Sequence, residues 1–294
     1  MKSSISIIYN PAARKASKIK VETASSFLRG KGFDTEILIT ETRGHAEQLA
    51  RESVKNKPSL IIAAGGDGTI NEVINGIVWS GVPLSLLPLG TTNVLAKELG
   101  LPEDVLGSME AAAAGRPTTV SLGRIDVRGG QLSRSRYFCL MAGIGFDGKT
   151  VYDVDASLKR ISGATAYIFS GIRNLLSYSL EEISFTIDGR NLSGYSAIIG
   201  KARRYGGNFQ VTPDADLLDP SLYAVIFKGR RRRDLLRYAF GIIRGSHLKY
   251  RDILYMKSTD IEIGGTAHIQ IDGDYLGVSP AKVSVVKNAL KLVY

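Results

Sequence analysis

Cysteine is nearly absent: Cys139 is the only one in 294 residues. A lone thiol excludes an internal disulfide and fits a reducing compartment. Histidine is almost as scarce, and His45, His247 and His268 are too scattered for zinc-ligand spacing. Long apolar runs are missing as well. Residues 5–9 are apolar but stop at Asn10-Pro11, too short for a signal peptide. Residues 73–96 carry no charge, yet Pro83, Pro88 and several glycines break them into helix, turn and strand, so no segment is expected to span a membrane. Acidic residues are in deficit, 28 against 38 Lys and Arg, for a net charge of +10 and a pI near 9.6. That balance implies an anionic partner; nucleotide, nucleic acid and acidic lipid surface stay open on charge alone. Neither a disordered linker nor an internal repeat is visible.

What is present is ordinary globular material, 44% hydrophobic and 22% charged, enough for one large or two ordinary domains. The first third alternates. Ile5 to Tyr9 reads as a strand, followed by a helix to about Gly30. Thr35 to Thr40 is a second strand, followed by a helix from Gly44-His45-Ala46 through Val54. Leu60 to Ala64 is a third, apolar without alternation, as in a parallel sheet covered on both faces. It turns through Gly65, Gly66 and Gly68 into a helix marked by Ile70, Val73, Ile74 and Ile77. Pro83 to Leu89 is the fourth strand, and Gly90-Thr91-Thr92-Asn93 opens a further helix. Strands alternating with helices argue for a parallel α/β sheet, whose ligands bind beyond the carboxyl ends of the strands. Asn10, Thr40, Asp67 and Gly90 all fall at such ends.

The glycine turn is the focus. Glycine lets backbone approach a ligand, and unpartnered N–H groups at a helix start suit phosphate. Asp67, inside the turn, makes chemical sense beside phosphate if a cation or a substrate proton lies between. A glycine-rich surface turn is the plainer alternative.

From about Thr118 the texture becomes β-rich, with runs at Val120–Val127, Tyr137–Met141, Ile183–Ile187, Tyr195–Ile199, Leu222–Phe227, Ile261–Ile263, Ile269–Ile271 and Val283–Val286. Turns at Asp188-Gly189 and Asp272-Gly273 point to an antiparallel sandwich or barrel. Helical insertions are expected over Ser157 to Tyr178 and Asp234 to Arg244. The domain boundary falls near Leu122, giving residues 1–122 and 123–294. Asp214, Asp216 and Asp219 crowd one loop, either a solvated turn or oxygen ligands for a hard cation. Arg230 to Arg233 precede a helix whose Leu235, Leu236, Ala239, Phe240, Ile242 and Ile243 share a face. A core-packed helix with a solvated basic start and an anionic-bilayer contact are both open; the absence of interleaved aromatics argues against nucleic acid.

Several motifs in order resemble the soluble diacylglycerol kinase-like lipid kinases, which include sphingosine, ceramide and bacterial lipid kinases. They are Asn10-Pro11, Thr40 with Gly44-His45-Ala46, Gly65-Gly66-Asp67-Gly68-Thr69 with Asn71-Glu72, and Pro88-Leu89-Gly90-Thr91-Thr92-Asn93. Gly143 to Asp147, Pro213 to Asp219 and Asp272-Gly273-Asp274 complete the set. The resemblance implies an N-terminal Rossmann-like α/β domain and a C-terminal mainly antiparallel β-sandwich. It puts the site in the cleft between them, and the last strand, around Leu290 to Tyr294, is expected to return to the first domain. It also implies ATP lined by Asn10, Thr40, Gly65, Gly66, Gly68, Thr69, Glu72 and Thr92, with Mg2+ required. Asp67 would position magnesium or the acceptor hydroxyl, Asp274 would be the general base, and Asp216, Asp219 and the Ser221 carbonyl would hold a structural magnesium. The γ-phosphate would pass to a lipid hydroxyl at the inner face of the membrane, reached from the cytoplasm. No nucleic-acid partner is expected, and an oligomer is left open. The sequence departs from the family pattern at Asp274 (for Glu), Pro220 (for Gly) and Val94 (for an acid). NAD kinase, which shares the glycine loop, and a non-enzymatic basic binding protein are the competing readings.

Overall fold

The computed structural model describes residues 3–129, 134–153 and 181–294. The insertion expected over Ser157 to Tyr178 lies outside them. The chain divides into two compact units, Met1–Ser121 with Lys287–Tyr294, and Leu122–Val286.

The first unit is a parallel sheet of β1 (Ser4–Tyr9), β2 (Asp34–Ile39), β3 (Leu60–Gly65) and β4 (Leu84–Pro88), in the order β4-β3-β1-β2. Outside β4, Leu292 at the end of β17 (Asp274–Leu292) pairs in parallel with Leu84. Ile7 sits opposite Ile37 on one side and Ile62 on the other. All six residues of β3 are buried, as its unbroken apolar run requires, whereas β2 ends the order and fully buries only Thr35. Helices α1 (Lys18–Gly30), α2 (His45–Lys55), α3 (Asp67–Ile77), α4 (Val94–Glu98) and α5 (Val105–Ala114) connect or follow the strands. Val21, Ala24 and Leu28 of α1 and Met109 and Ala112 of α5 close over Ile5, Ile7 and Ile62. Truncating a residue such as Ile62 to alanine costs about 2–5 kcal/mol. The chain leaves β1 in one direction, to β2, and returns to β3 on the other side. The carboxyl ends of β1 and β3 therefore flank a switch point, where open α/β sheets bind ligands.

The second unit is mainly antiparallel. Its central order is β14 (Ile253–Ser258), β13 (Leu222–Phe227), β10 (Ser196–Gly200), β7 (Met141–Gly145), β16 (His268–Ile271) and β17. Strands β5 (Thr118–Gly129) and β15 (Asp260–Ile263) also pair with β17. β6 (Arg134–Phe138) pairs with β5, β8 (Ile183–Ile187) with β15, and β9 (Arg190–Gly194) with β8. Phe138, Ile144, Phe185, Ile199, Leu222, Ile226, Ile269 and Val283 belong to its core. Helix α6 (Phe146–Asp153) follows β7. A small hairpin of β11 (Arg204–Tyr205) and β12 (Phe209–Gln210) and helix α7 (Arg232–Ile243) also belong to the unit. The turns at Asp188-Gly189 and Asp272-Gly273 do join antiparallel pairs.

One expected strand is broken, two strands appear where none was expected, and one open alternative is decided. Tyr137 to Met141 is not one strand: β6 ends at Phe138 and β7 starts at Met141, because the N–H groups of Cys139, Leu140 and Met141 all turn to the Asp272 carboxylate, at 3.0, 3.0 and 2.9 Å. Ile253–Ser258, with no clear alternation, and the polar Arg190–Gly194 are strands held by their partners. Helix α7 does not pack its apolar face into the core. Leu236, Phe240 and Ile243 are 57%, 51% and 60% exposed, while Tyr238 and Gly241 are buried. Tyr238 is the anchor, donating to Asp252 at 2.6 Å and accepting from the Gly229 N–H at 2.8 Å.

Candidate active site

In the first unit, candidate site residues gather at the switch point. Asn10, just past β1, donates from Nδ2 to Thr69 Oγ1 at 2.9 Å, joining the end of one strand to the helix after its neighbour. Its own Oδ1 accepts from the Ala12 N–H, fixing the turn after β1. Thr40 is buried beside it and donates its N–H to the Tyr9 carbonyl. The turns after β3 and β4 abut. A Cβ on Gly90 would lie 2.6 Å from Gly66 Cα, and one on Gly66 would lie 3.2 Å from Gly90 Cα. Glycine is needed at both places because backbone meets backbone. Gly66 precedes α3 without a side-chain cap, so the first amides of that helix remain for an anion. The α5 start differs, since Asp104 accepts there from the Gly107 N–H.

Asp67 opens α3 but serves α4. Its Oδ1 accepts the Leu95 N–H at 3.2 Å, and Thr92 Oγ1 lies 3.5 Å from Oδ2. Burial pushes its carboxyl above the usual range, against hydrogen bonds from Val94, Leu95 and Thr92 and the charge of Lys97. Asn93 points the other way, accepting from the Gly90 N–H at 2.8 Å. Glu72 has both oxygens on the start of α2, taking the Gly44 N–H at 2.8 Å and the Ala46 N–H at 3.2 Å.

In the second unit a polar chain ends at Gly273, the residue before Asp274. Asp274 is half-buried at the first position of β17, opposite Ile271. Behind it, Gln270 accepts the Gly273 N–H at 2.8 Å and donates to Asp147 at 2.6 Å; Tyr205 also donates to Asp147. Burial raises the Asp147 carboxyl, opposed by Tyr205 and Gln270. A Cβ on Gly143 would fall on the Asp147 carboxylate, so the glycine makes room for this contact. Asp272, the first acid of the Asp-Gly-Asp turn, is committed to the three amides beyond β6. Gln270, Tyr205 and the role of Asp147 escaped sequence reading. A polar residue inside the apolar His268–Ile271 strand was the available signal.

Among the described residues, no three His, Cys, Asp or Glu side chains gather as a metal site. Asp67, with its single carboxylate, fits a magnesium ion carried mainly by a nucleotide's phosphates. The loop of Asp216, Asp219 and Ser221 does not fit one. The Lys201 ammonium donates to the carbonyls of Asp216 and, at 2.8 Å, Asp219. The Asp219 carboxylate accepts Lys257 at 2.8 Å and the Tyr223 hydroxyl at 3.0 Å, while Asp216 Oδ1 takes the Leu218 N–H. Hydrogen bonding from Lys257 is the main cause holding Asp219 below the usual carboxylate range.

Residues 4–125 match the diacylglycerol kinase catalytic domain, and residues 141–294 match the YegS C-terminal NAD kinase beta sandwich-like domain. A diacylglycerol kinase of Bacillus subtilis is 31% identical over 284 residues, covering 94% of this chain and 91% of that protein. One from Staphylococcus aureus is 30% identical over 282 residues, covering 94% and 87%. A crystal structure of a diacylglycerol kinase from Bacillus anthracis, 22% identical, superposes with a TM-score of 0.77 over 99% of this chain and 97% of that one. Yeast NADH kinase, 12% identical, gives a TM-score of 0.59 over 100% and 84%, a likeness of fold alone. Matched in both of its units and along nearly its whole length, the chain belongs to the diacylglycerol kinase family of lipid kinases.

Proposed function

We propose that this kinase moves the γ-phosphoryl group of ATP to the hydroxyl of a diacylglycerol-type lipid. The observation that carries the nucleotide half is the contact of the Gly66 and Gly90 turns beside the uncapped start of α3. That cradle suits a polyphosphate because amides, not side chains, would face it. Asn10, Thr40, Gly65, Gly66, Gly68, Thr69 and Thr92 line or brace it, and Glu72 braces α2. Magnesium bound with the nucleotide would neutralise phosphate charge, and Asp67 is the carboxylate that would hold it. Asp274 takes the proton of the acceptor hydroxyl as its oxygen bonds to phosphorus. The bond from phosphorus to the β,γ-bridging oxygen breaks, and ADP leaves. Diacylglycerol is favoured over a sphingoid base or ceramide by the names of the relatives at 30–31% identity. Labelled ATP offered with micelles of diacylglycerol, sphingosine or ceramide, or with NAD, tests the assignment. Label in phosphatidic acid alone is expected; label in NADP alone defeats it.

The lipid acceptor brings the enzyme to a membrane surface, and α7 supplies the contact. Leu236, Phe240 and Ile243 are exposed on a helix entered through Arg230 to Arg233. No described helix is long and apolar enough to cross a membrane. An exposed apolar stripe beside arginines suits the anionic inner leaflet instead. Sedimentation with phosphatidylglycerol vesicles should retain the protein, whereas Leu236→Ser with Phe240→Ser should release it. Equal retention of both proteins would remove α7 from this role.

A further inference from the structure

We propose that Lys201 is the resident cation of the acidic loop running from Thr212 to Ser221, so that this loop is held without a metal ion. The inference is independent of the phosphoryl-transfer reading, because it concerns a loop and a side chain of the second unit alone. Lys201 follows β10 and is fully buried, 0% exposed, among the largest buried side chains of the chain. Its backbone is fixed, with its N–H donated to the Leu140 carbonyl at 2.8 Å. Its ammonium reaches the carbonyls of Asp216 and Asp219, the two ends of one tight turn in which the Asp219 N–H also returns to the Asp216 carbonyl at 3.1 Å. A buried ammonium needs oxygen partners and countercharge, and this turn gives both.

A hard divalent cation would use the same atoms: backbone carbonyls and carboxylates converging on one point. Here the two carbonyls belong to an ammonium, and the Asp219 carboxylate belongs to a second, Lys257. A metal ion at the carbonyls would sit against Lys201, and like charges at contact distance repel strongly where water is excluded. Burial pulls Lys201 down to about 8, with the Asp219 and Asp216 carboxylates and Cys139 opposing. The charge of the loop is thus met by the chain's own ammonium groups.

Crystals grown with Mn2+ and without nucleotide, measured at the manganese absorption edge, provide the test. Support is the absence of an anomalous peak at the Asp216 and Asp219 carbonyls, with the Lys201 Nζ density lying on them. A manganese peak at those carbonyls overturns the proposal. In solution, the nucleotide-free enzyme is expected to melt at the same temperature with chelator or with Mg2+, and Lys201→Met to melt about 5 °C lower or more. A melting point that falls with chelator and returns with Mg2+, but not in Asp219→Asn, would overturn it, as would Lys201→Met melting with the parent. If Lys201→Met does not fold, the crystals and the chelator series on the parent chain still decide.

Discussion

Asp67 and Leu95 are bonded across two helix starts: the carboxylate at the head of α3 accepts the amide of α4 at 3.2 Å. The acid proposed for magnesium is therefore also a structural cap, and the two roles separate by substitution. Asp67→Asn keeps an oxygen for the Leu95 N–H and should unfold in urea within about 0.5 kcal/mol of the parent. Phosphoryl transfer should nevertheless fall about 100-fold or more. Asp67→Ala should lose the same activity and about 1 kcal/mol besides. Full activity in Asp67→Asn would leave the residue with the cap alone.

Gly90→Ala probes the meeting of the two turns. Its methyl group would lie 2.6 Å from the Gly66 backbone, which cannot rotate away as a side chain would. ATP affinity is expected to drop about tenfold or more, with about 1–3 kcal/mol of stability lost. Gly30→Ala, where nothing lies within 4 Å, is the control and should leave ATP affinity unchanged and lose no stability. Calorimetric titration with ATP and magnesium reads the first effect and urea unfolding the second.

The two acids of the Asp-Gly-Asp turn should fail differently. Asp272→Asn disturbs a carboxylate that accepts three backbone amides and should cost about 1.5–3 kcal/mol in unfolding experiments. Asp274→Asn should lower kcat/KM about 100-fold or more, an effect on turnover rather than one read from the unfolding curve. An active Asp274→Asn enzyme would pass the base role to another group.

Asp147 gives the fold a pH dependence of known sign. Burial raises its folded-state pKa above the ordinary 3.8, so the folded chain holds this proton more tightly than the unfolded chain. The contribution is complete below 3.8 and is lost as pH rises through the folded value. Urea unfolding of the parent and Asp147→Asn at about pH 4 and about pH 7 should show the parent's relative stability shrinking as pH rises. Growth of that difference with pH would contradict the burial assigned here.

Local pattern was enough for much of this architecture. The apolar block at Leu60 to Ala64 reads as a covered strand, and Asn10, Thr40, Asp67 and Gly90 followed as residues at strand ends. Asp188-Gly189 and Asp272-Gly273 announced their hairpins. Long-range polar contacts were not readable. The break at Cys139 is imposed by an acceptor 133 residues downstream, and nothing near Cys139 signals it. Nothing in its local sequence marks Lys201; its partners are set by a turn 15 to 18 residues later. On α7, periodicity found the apolar face but not its direction, because Tyr238 and Asp252 fix which side turns inward.

The grip of Glu72 on Gly44 and Ala46 has a further effect on whatever polyanion arrives. With its leading amides already answered by a carboxylate, the head of α2 is electrically quiet. The head of α3, one strand over, keeps its pull. The two neighbouring helix starts are thus electrostatically unlike, that of α2 answered by Glu72 and that of α3 without a side-chain cap, so any anion drawn to this edge of the first unit is steered toward Gly66 rather than Gly44.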